Sequence, residues 1–142
     1  MYPIDKIEEV STQKLSDIIA TEIMNKQVTK ISKNFSIEKA ILILDSAKVS
    51  GAPVVDENNR AIGFISESDL LIQISHRDKS EKITFSQSIF TISENLHLKE
   101  IILYMSQNKL KLAPVVTSNR EVIGSISRMD LLKFIINFKG RN

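Results

Sequence analysis

The amino-acid sequence predicts an α/β (α+β) fold made of two copies of a β-α-β-β-α unit. Residues 50–71, SGAPVVDENNRAIGFISESDLL, return as residues 111–132, KLAPVVTSNREVIGSISRMDLL, at a constant offset of 61 positions. Each copy alternates short apolar runs, as strands do, with stretches whose apolar residues recur at helical spacing. One copy of about 60 residues would be marginal alone, so we expect the two copies to pack together and to form two equivalent clefts.

A helical lead-in precedes the first repeat. Apolar residues recur there at helix-like spacing, and Pro3 suits a first helical turn; they are Ile4, Ile7, Leu15, Ile18, Ile19 and Ile23. We expect one or two helices that pack on the repeats. The predicted division of the chain is a lead-in over residues 1–23, a first repeat over residues 24–80 and a second repeat over residues 81–142.

Each repeat opens with a short strand, over residues 28–31 and 89–92, and continues into an amphipathic helix. Ser36 is placed to cap the first of these helices. The helices share an apolar stripe at positions i, i+3, i+4 and i+7, formed by Ile37, Ala40, Ile41 and Leu44 and by Leu98, Ile101, Ile102 and Met105. Leu42, Ile43, Leu103 and Tyr104 widen that surface, which indicates contact on two sides and favours a homodimer.

A hairpin and a second helix complete each repeat. The predicted strands cover residues 52–56 and 62–65 in the first copy, and residues 113–117 and 123–126 in the second. Asn58-Asn59 and Asn119-Arg120 separate the strands, and asparagine tolerates the left-handed backbone of a tight turn. The closing helices carry Leu70, Leu71 and Ile74, matched by Leu131, Leu132 and Ile135.

Composition excludes several classes of function. With 42% hydrophobic and 25% charged residues, the chain is typical of a soluble globular protein. It has no cysteine, no apolar run long enough for a membrane span and no signal-like start, so we expect a cytoplasmic protein with no membrane contact. His76 and His97 are isolated, and no set of acid, base and nucleophile is recognisable, so we predict neither a metal site nor catalysis.

The sharpest motif is GFISESD, residues 63–69, with its counterpart GSISRMD, residues 124–130, where a strand runs into a helix. A helix N-terminus offers free backbone N–H groups to an anion. Ser66 and Ser127 would add a hydroxyl, and the carboxylates of Asp69 and Asp130 can accept both hydroxyls of a ribose diol. The same spacing also forms a capping box, in which these side chains satisfy backbone donors without any ligand. The two roles do not exclude each other.

In this order and in tandem, Ala-Pro-Val-Val, an asparagine-containing turn and Ile-Gly-x-Ile-Ser-x-x-Asp-Leu-Leu resemble the CBS domain, and the pair resembles a Bateman module over about residues 18–136. The resemblance implies two repeats packed about a pseudo-twofold axis, with adenosine-containing ligands bound in clefts between them. It implies that Ser66 and Ser127 lie on the phosphate side, that Asp69 and Asp130 bind ribose, and that the backbone at Ala52 and Ala113 meets the base. It further implies that no cofactor is required and that the ligand acts as a regulator.

The two copies differ around this motif. Lys30 and Phe64 correspond to Thr91 and Ser125, and Lys111-Leu112 replaces Ser50-Gly51, so the two clefts differ in shape and polarity. Arg128 corresponds to Glu67. Either these two side chains face the ligand, which would favour a charged nucleotide in the second cleft, or both point into water.

Three functions follow as hypotheses. The first is a regulatory module that binds AMP, ADP, ATP or S-adenosylmethionine and modulates an unknown protein target. The second is a ligand-free structural or oligomerisation module. The third, disfavoured by a net charge of only +2 on scattered lysines, is nucleic-acid binding.

Overall fold

The structure, a computed structural model, describes residues 14–139, and over these residues the chain forms five α-helices and six β-strands. A 3-10 turn at Leu15–Asp17 comes first. The helices are α1 (Ala20–Ile23), α2 (Ile37–Ala47), α3 (Glu67–His76), α4 (Leu98–Gln107) and α5 (Arg128–Asn137). The strands are β1 (Ile31–Ser32), β2 (Gly51–Val55), β3 (Ala61–Ser66), β4 (Ile92–Ser93), β5 (Leu112–Val116) and β6 (Val122–Ser127). The predicted α/β class and the order of elements in each repeat are confirmed.

Each repeat supplies one three-stranded sheet, in the order β1-β2-β3 and β4-β5-β6. The first strand of each sheet is parallel to the second, and β2 and β3 form the predicted antiparallel hairpin. The opening strands begin three residues later than predicted, and they are short because β1 meets β2 only at Val54 and Val55. Helix α2 begins at the predicted cap, where the Ser36 hydroxyl accepts a hydrogen bond from the Lys39 amide at 3.1 Å.

Each hairpin turn contains one residue in the expected left-handed conformation, but only one of the two is an asparagine. Asn59 has φ 63° in the first hairpin, as asparagine readily does. In the second hairpin Arg120, with φ 67°, takes that conformation instead of Asn119. Arg120 lies 61 positions after Asn59, so the left-handed conformation occurs at the equivalent position of both turns.

The described residues divide into two compact units. The repeat-1 unit contains Val28–Phe90 and Asn119–Val122, and the repeat-2 unit contains residues 14–27, Thr91–Ser118 and residues 123–139. The core of the repeat-1 unit consists of Ile31, Ile37, Ala40, Leu44, Ala52, Val54, Ile65, Leu70 and Ile83. The core of the repeat-2 unit consists of Leu15, Ile18, Ala20, Ile23, Ile92, Leu98, Ile101, Met105, Ala113, Val115, Ile126 and Leu131.

The lead-in belongs to the repeat-2 unit, although it precedes the first repeat in the chain. Ile18 and Ala20 are fully buried there, and the Ala20 amide donates to the Leu96 carbonyl at 2.9 Å. In the same way the segment after α3 packs within the repeat-1 unit, where the Ile83 amide donates to the Phe35 carbonyl at 3.1 Å. Of the predicted lead-in stripe, Ile4 and Ile7 lie outside the described residues.

Candidate functional site

The predicted serine and aspartate pairs lie at the starts of α3 and α5. Ser66 and Ser127 end the third strand of each sheet in an extended backbone, and the chain turns into a helix immediately after them. The Ser66 amide donates to Asp69 Oδ2 at 2.9 Å, and the Asp69 amide donates to Ser66 Oγ at 3.2 Å. The corresponding bonds between Ser127 and Asp130 measure 2.8 and 3.0 Å. Both motifs therefore form complete capping boxes.

The caps leave acceptor capacity on both carboxylates. All four side chains are partly exposed, and the cap uses Oδ2 of each aspartate. Within residues 14–139 no donor is bonded to Oδ1 of Asp69 or Asp130. An ionised carboxyl group has about four lone-pair sites, so each aspartate can cap its helix and accept further hydrogen bonds from a ligand.

Asp130 lines a cavity of about 470 Å³ in the repeat-2 unit. Its other walls are Ile23 of α1 and five residues from the second half of α5 and the segment after it, namely Lys133, Phe134, Asn137, Phe138 and Lys139. The rings of Phe134 and Phe138 lie 6.0 Å apart between centroids and are tilted by 34°. This cavity thus combines a carboxylate, two aromatic rings and two ammonium groups.

Asp69 lines a cavity of about 240 Å³ at the corresponding place in the repeat-1 unit. Gln73, which is only 6% exposed, forms part of the wall of this cavity. The Gln73 side chain donates to the Thr84 carbonyl and accepts from the Thr84 amide, both at 2.8 Å. Arg77 Nη1 donates to Gln73 Oε1 at 2.9 Å, and Arg77 Nη2 donates to the Lys82 carbonyl at 2.6 Å. Hydrogen bonds thus hold the segment around Thr84 against α3.

The two cavities are equivalent by sequence register. The segment that borders the Asp69 cavity pairs with β3 through mutual amide–carbonyl bonds between Phe64 and Ser86, at 2.9 and 3.2 Å. Asn25 and Ser125, each exactly one repeat away, make the same two bonds in the repeat-2 unit, both at 2.9 Å. Close approach explains why glycine occurs beside each pairing: a Cβ on Gly63 would lie 2.2 Å from the Ser86 carbonyl oxygen.

The other predicted site residues lie elsewhere. Ala52 and Ala113 are each 1% exposed within their cores, and neither lines the cavity beside Asp69 or Asp130. The guanidinium of Arg128 donates through Nε to the Leu110 carbonyl at 2.8 Å, and Arg128 is not among the residues lining the Asp130 cavity. Glu67 lines an apolar groove with α2 and α3 side chains such as Ile41 and Leu71. Neither charged residue lines the cavity beside the aspartate of its own repeat.

The residues that do distinguish the cavities went unnoticed in the sequence. Gln73 and Arg77 of the hydrogen-bonded wall correspond, one repeat later, to the aromatic pair Phe134 and Phe138. Comparing the two copies beyond the aspartates, at the same offset of 61 positions, would have exposed this exchange. The conspicuous serine and aspartate motif ends before it.

Comparison with known proteins decides the family. The family model for the CBS domain matches residues 19–76 and again residues 82–137. The chain belongs to the CBS domain family. CBS domain-containing protein MJ0729 of Methanocaldococcus jannaschii is 32% identical over 117 residues, which cover 82% of this chain and 94% of that protein. The chain spans only 43% and 25% of the length of two other curated relatives.

Solved CBS structures share the fold. The CBS domain pair of protein MJ0100, crystallised with 5′-methylthioadenosine and S-adenosyl-L-methionine, is 24% identical with a TM-score of 0.66, over 83% of this chain and 95% of that one. CBSX2, crystallised with AMP, is 20% identical with a TM-score of 0.70, over 83% of this chain and 96% of that one. In the described part of this chain, no helix has the length and hydrophobicity to cross a bilayer, and no group of three or more potential metal ligands comes together.

Proposed function

We propose that this CBS pair is a cytoplasmic regulatory module that binds an adenosine-containing ligand of the AMP, ADP, ATP or S-adenosylmethionine class and thereby modulates a partner protein. One observation carries the proposal. Each capping aspartate, Asp69 and Asp130, retains an unbonded oxygen and lines a cavity. A ribose diol supplies two hydroxyl donors, which is what such a carboxylate oxygen lacks.

The regulatory role is supported by what the family members bind. The CBS domain pair of protein MJ0100 and CBSX2 were crystallised with adenosine derivatives, and the part that matches this chain makes up 95% and 96% of those crystallised chains. A ligand that favours one packing of the CBS pair over another can change the affinity for a partner by about 5- to 150-fold, which corresponds to typical coupling energies. No reaction chemistry is needed for this role.

Calorimetric titration of the full chain with AMP, ATP, adenosine and S-adenosylmethionine tests the proposal. Asp69→Asn and Asp130→Asn keep a carbonyl oxygen for the cap but remove the charge that strengthens a hydrogen bond from the diol. Because a hydrogen bond to a charged group contributes roughly 1.5–3 kcal/mol, we expect the variant at an occupied site to bind about 10- to 100-fold more weakly. Asp45→Asn, which changes an exposed aspartate of α2, is the matched control.

The variant with both aspartates changed tests whether adenosine binding needs either carboxylate. If Asp69→Asn combined with Asp130→Asn binds every ligand as tightly as the unchanged chain, or if the unchanged chain gives no heat with any adenosine compound, the proposal is wrong. Thermal unfolding of each variant shows whether a loss of binding reflects only a weakened cap.

A ligand-free oligomerisation module is the second candidate, and exposed apolar side chains favour it. Leu71 of α3 and Ile136 of α5 are 70% and 78% exposed, and Met129 and Leu132 of α5 are more than half exposed. Met129, Leu132 and Ile136 recur at helical spacing along α5, and an exposed apolar helix face often marks an interaction surface. This candidate predicts a homodimer whose melting temperature is independent of nucleotide concentration, whereas any ligand of the native state raises that temperature.

A further inference from the structure

We propose that the cavity beside Asp130 selects a phosphorylated adenosine ligand over an uncharged one through Lys133 and Lys139, and that the cavity beside Asp69 does not. This inference rests on the proposed function, because it specifies which adenosine compound the repeat-2 unit prefers. It concerns residues beyond the serine and aspartate motif.

Two ammonium groups face the Asp130 cavity without a protein partner. Lys133 and Lys139 both line it and both are exposed. Over residues 14–139 neither side chain forms an ion pair or a hydrogen bond. A phosphate group in the cavity would therefore gain two cations without displacing an existing carboxylate.

The remaining walls suit the other parts of a nucleotide. Asp130 offers its free oxygen to a ribose diol, while Ile23, Phe134 and Phe138 form an apolar wall with two partly buried rings. Aromatic side chains are good stacking partners for a base. At about 470 Å³ the cavity lies within the range of roughly 300–1,000 Å³ typical of small-molecule sites.

The corresponding positions of the repeat-1 unit lack both lysines and the aromatic pair, although Asp69 and the ring of Phe85 line the cavity there. Ile72 replaces Lys133, and Asp78 replaces Lys139, which reverses the charge at that position. Hydrogen bonds from the side chain and amide of Ser80 hold the pKa of the Asp78 carboxyl below its usual value, and Asp78 does not line the Asp69 cavity. Gln73 replaces Phe134 and is bonded on both sides to Thr84. The cavity measures only about 240 Å³.

The difference between AMP and adenosine isolates the phosphate, so both compounds are titrated into the full chain by calorimetry. We expect AMP to bind about five- to tenfold more tightly than adenosine, since each exposed ion pair contributes modestly. Lys133→Gln combined with Lys139→Gln should bring AMP down to the affinity of adenosine and leave adenosine unchanged. Raising NaCl from roughly 50 to 500 mM should weaken AMP alone, because salt screens exposed charges.

A second substitution of Lys133 and a control lysine outside the cavity test whether the effect is specific. Lys133→Ile installs the residue that the first repeat carries at this position, where Ile72 is 63% exposed on α3, so the helix should tolerate it. It should lower the preference for AMP like Lys133→Gln. Lys99→Gln removes an exposed lysine of α4 that does not line the cavity, and it should change nothing.

The outcomes separate this inference from the function on which it rests. Equal affinities of the unchanged chain for AMP and adenosine, or a preference for AMP that survives in the double lysine variant, overturn the lysine inference and leave adenosine binding intact. Absence of heat with both compounds overturns the proposed function as well.

Discussion

The capping aspartates have a structural role that is compatible with the proposed binding role. Asp69 and Asp130 each close a capping box through one oxygen, a contribution of about 1 kcal/mol to helix stability. The second oxygen is unbonded and lines a cavity. A carboxylate is needed for both tasks together, because serine or alanine at this position would satisfy neither fully.

Asp56 has a purely structural role that predicts a dependence on pH. Its Oδ1 accepts from the amides of Asn58 and Arg60, both at 2.9 Å, and its Oδ2 accepts from Arg60 Nε at 3.0 Å. The backbone hydrogen bond from Arg60 is the largest cause that lowers the pKa of Asp56 below its usual 3.8. The carboxylate therefore stabilises the hairpin turn only while it is ionised.

We predict that Asp56→Asn lowers the melting temperature at pH 7. A lowered pKa in the folded state means that the stabilisation is present above the unfolded-state pKa and is lost as the pH falls through the folded-state value. The difference from the unchanged chain should consequently shrink below pH 3.8. Melting curves between neutral and acidic pH measure it, with Asp45→Asn as control; a difference that persists undiminished in acid would contradict this role.

At the scale of elements, the exchange of segments shapes both candidate sites. The chain before each repeat's first strand pairs with the third strand of the other repeat's sheet, through Asn25 with Ser125 and through Ser86 with Phe64. These segments contribute Ile23 to one cavity and Thr84 to the other. Each cavity is therefore formed by a helix together with the segment that pairs beside it.

The segment around Ser86 can pack against β3 only because Gly63 has no side chain. Gly63→Ala would place a Cβ 2.2 Å from the Ser86 carbonyl, which is backbone and cannot turn aside. We expect a loss of about 1–3 kcal/mol in the free energy of unfolding, as overpacking usually costs. We also expect faster hydrogen exchange at the Ser86 amide, which donates to the Phe64 carbonyl.

Gly51→Ala is the matched control for this prediction. The nearest atoms to its Cβ belong to the end of the Phe64 ring, at 2.6 and 2.8 Å, and this partly exposed ring can move. Gly51→Ala should therefore cost less than Gly63→Ala. Denaturant unfolding compares the two, and the reverse order would show that the segment is not held by this close contact.

The sequence alone predicts most helices and strands, but it does not predict which segments pack against one another. Repetition, helical stripes and the serine and aspartate spacing predicted both hairpins, the principal helices and the caps at Ser36, Ser66 and Ser127. Periodicity marks Ile18 and Ile23 as apolar positions of the lead-in, but it does not show which repeat covers them. The polar wall at Gln73 was equally hidden, because its partner Thr84 is defined only by the folded path of the chain.

At the scale of the whole molecule, the two repeats keep the same framework and differ in their cavities. Both preserve the capped helix, the paired segment and the glycine beside it. They diverge one turn beyond the aspartate, where one unit has hydrogen-bonded Gln73 and the other has Phe134 with unpaired lysines nearby. The difference between the cavities is the basis for the proposal that the repeat-2 unit prefers a phosphorylated ligand.

The central claim is that an adenosine ligand binds at these capped helices, and amide chemical shifts of the isotope-labelled full chain test it most directly. On titration with AMP we predict saturable shifts concentrated in residues 21–25 and 127–139, around Asp130 and the cavity that it lines. The same titration of Asp130→Asn should require a higher AMP concentration for equal shifts. If no saturable shifts occur, or if they are confined to residues remote from both aspartates, an adenosine ligand does not bind at these helices.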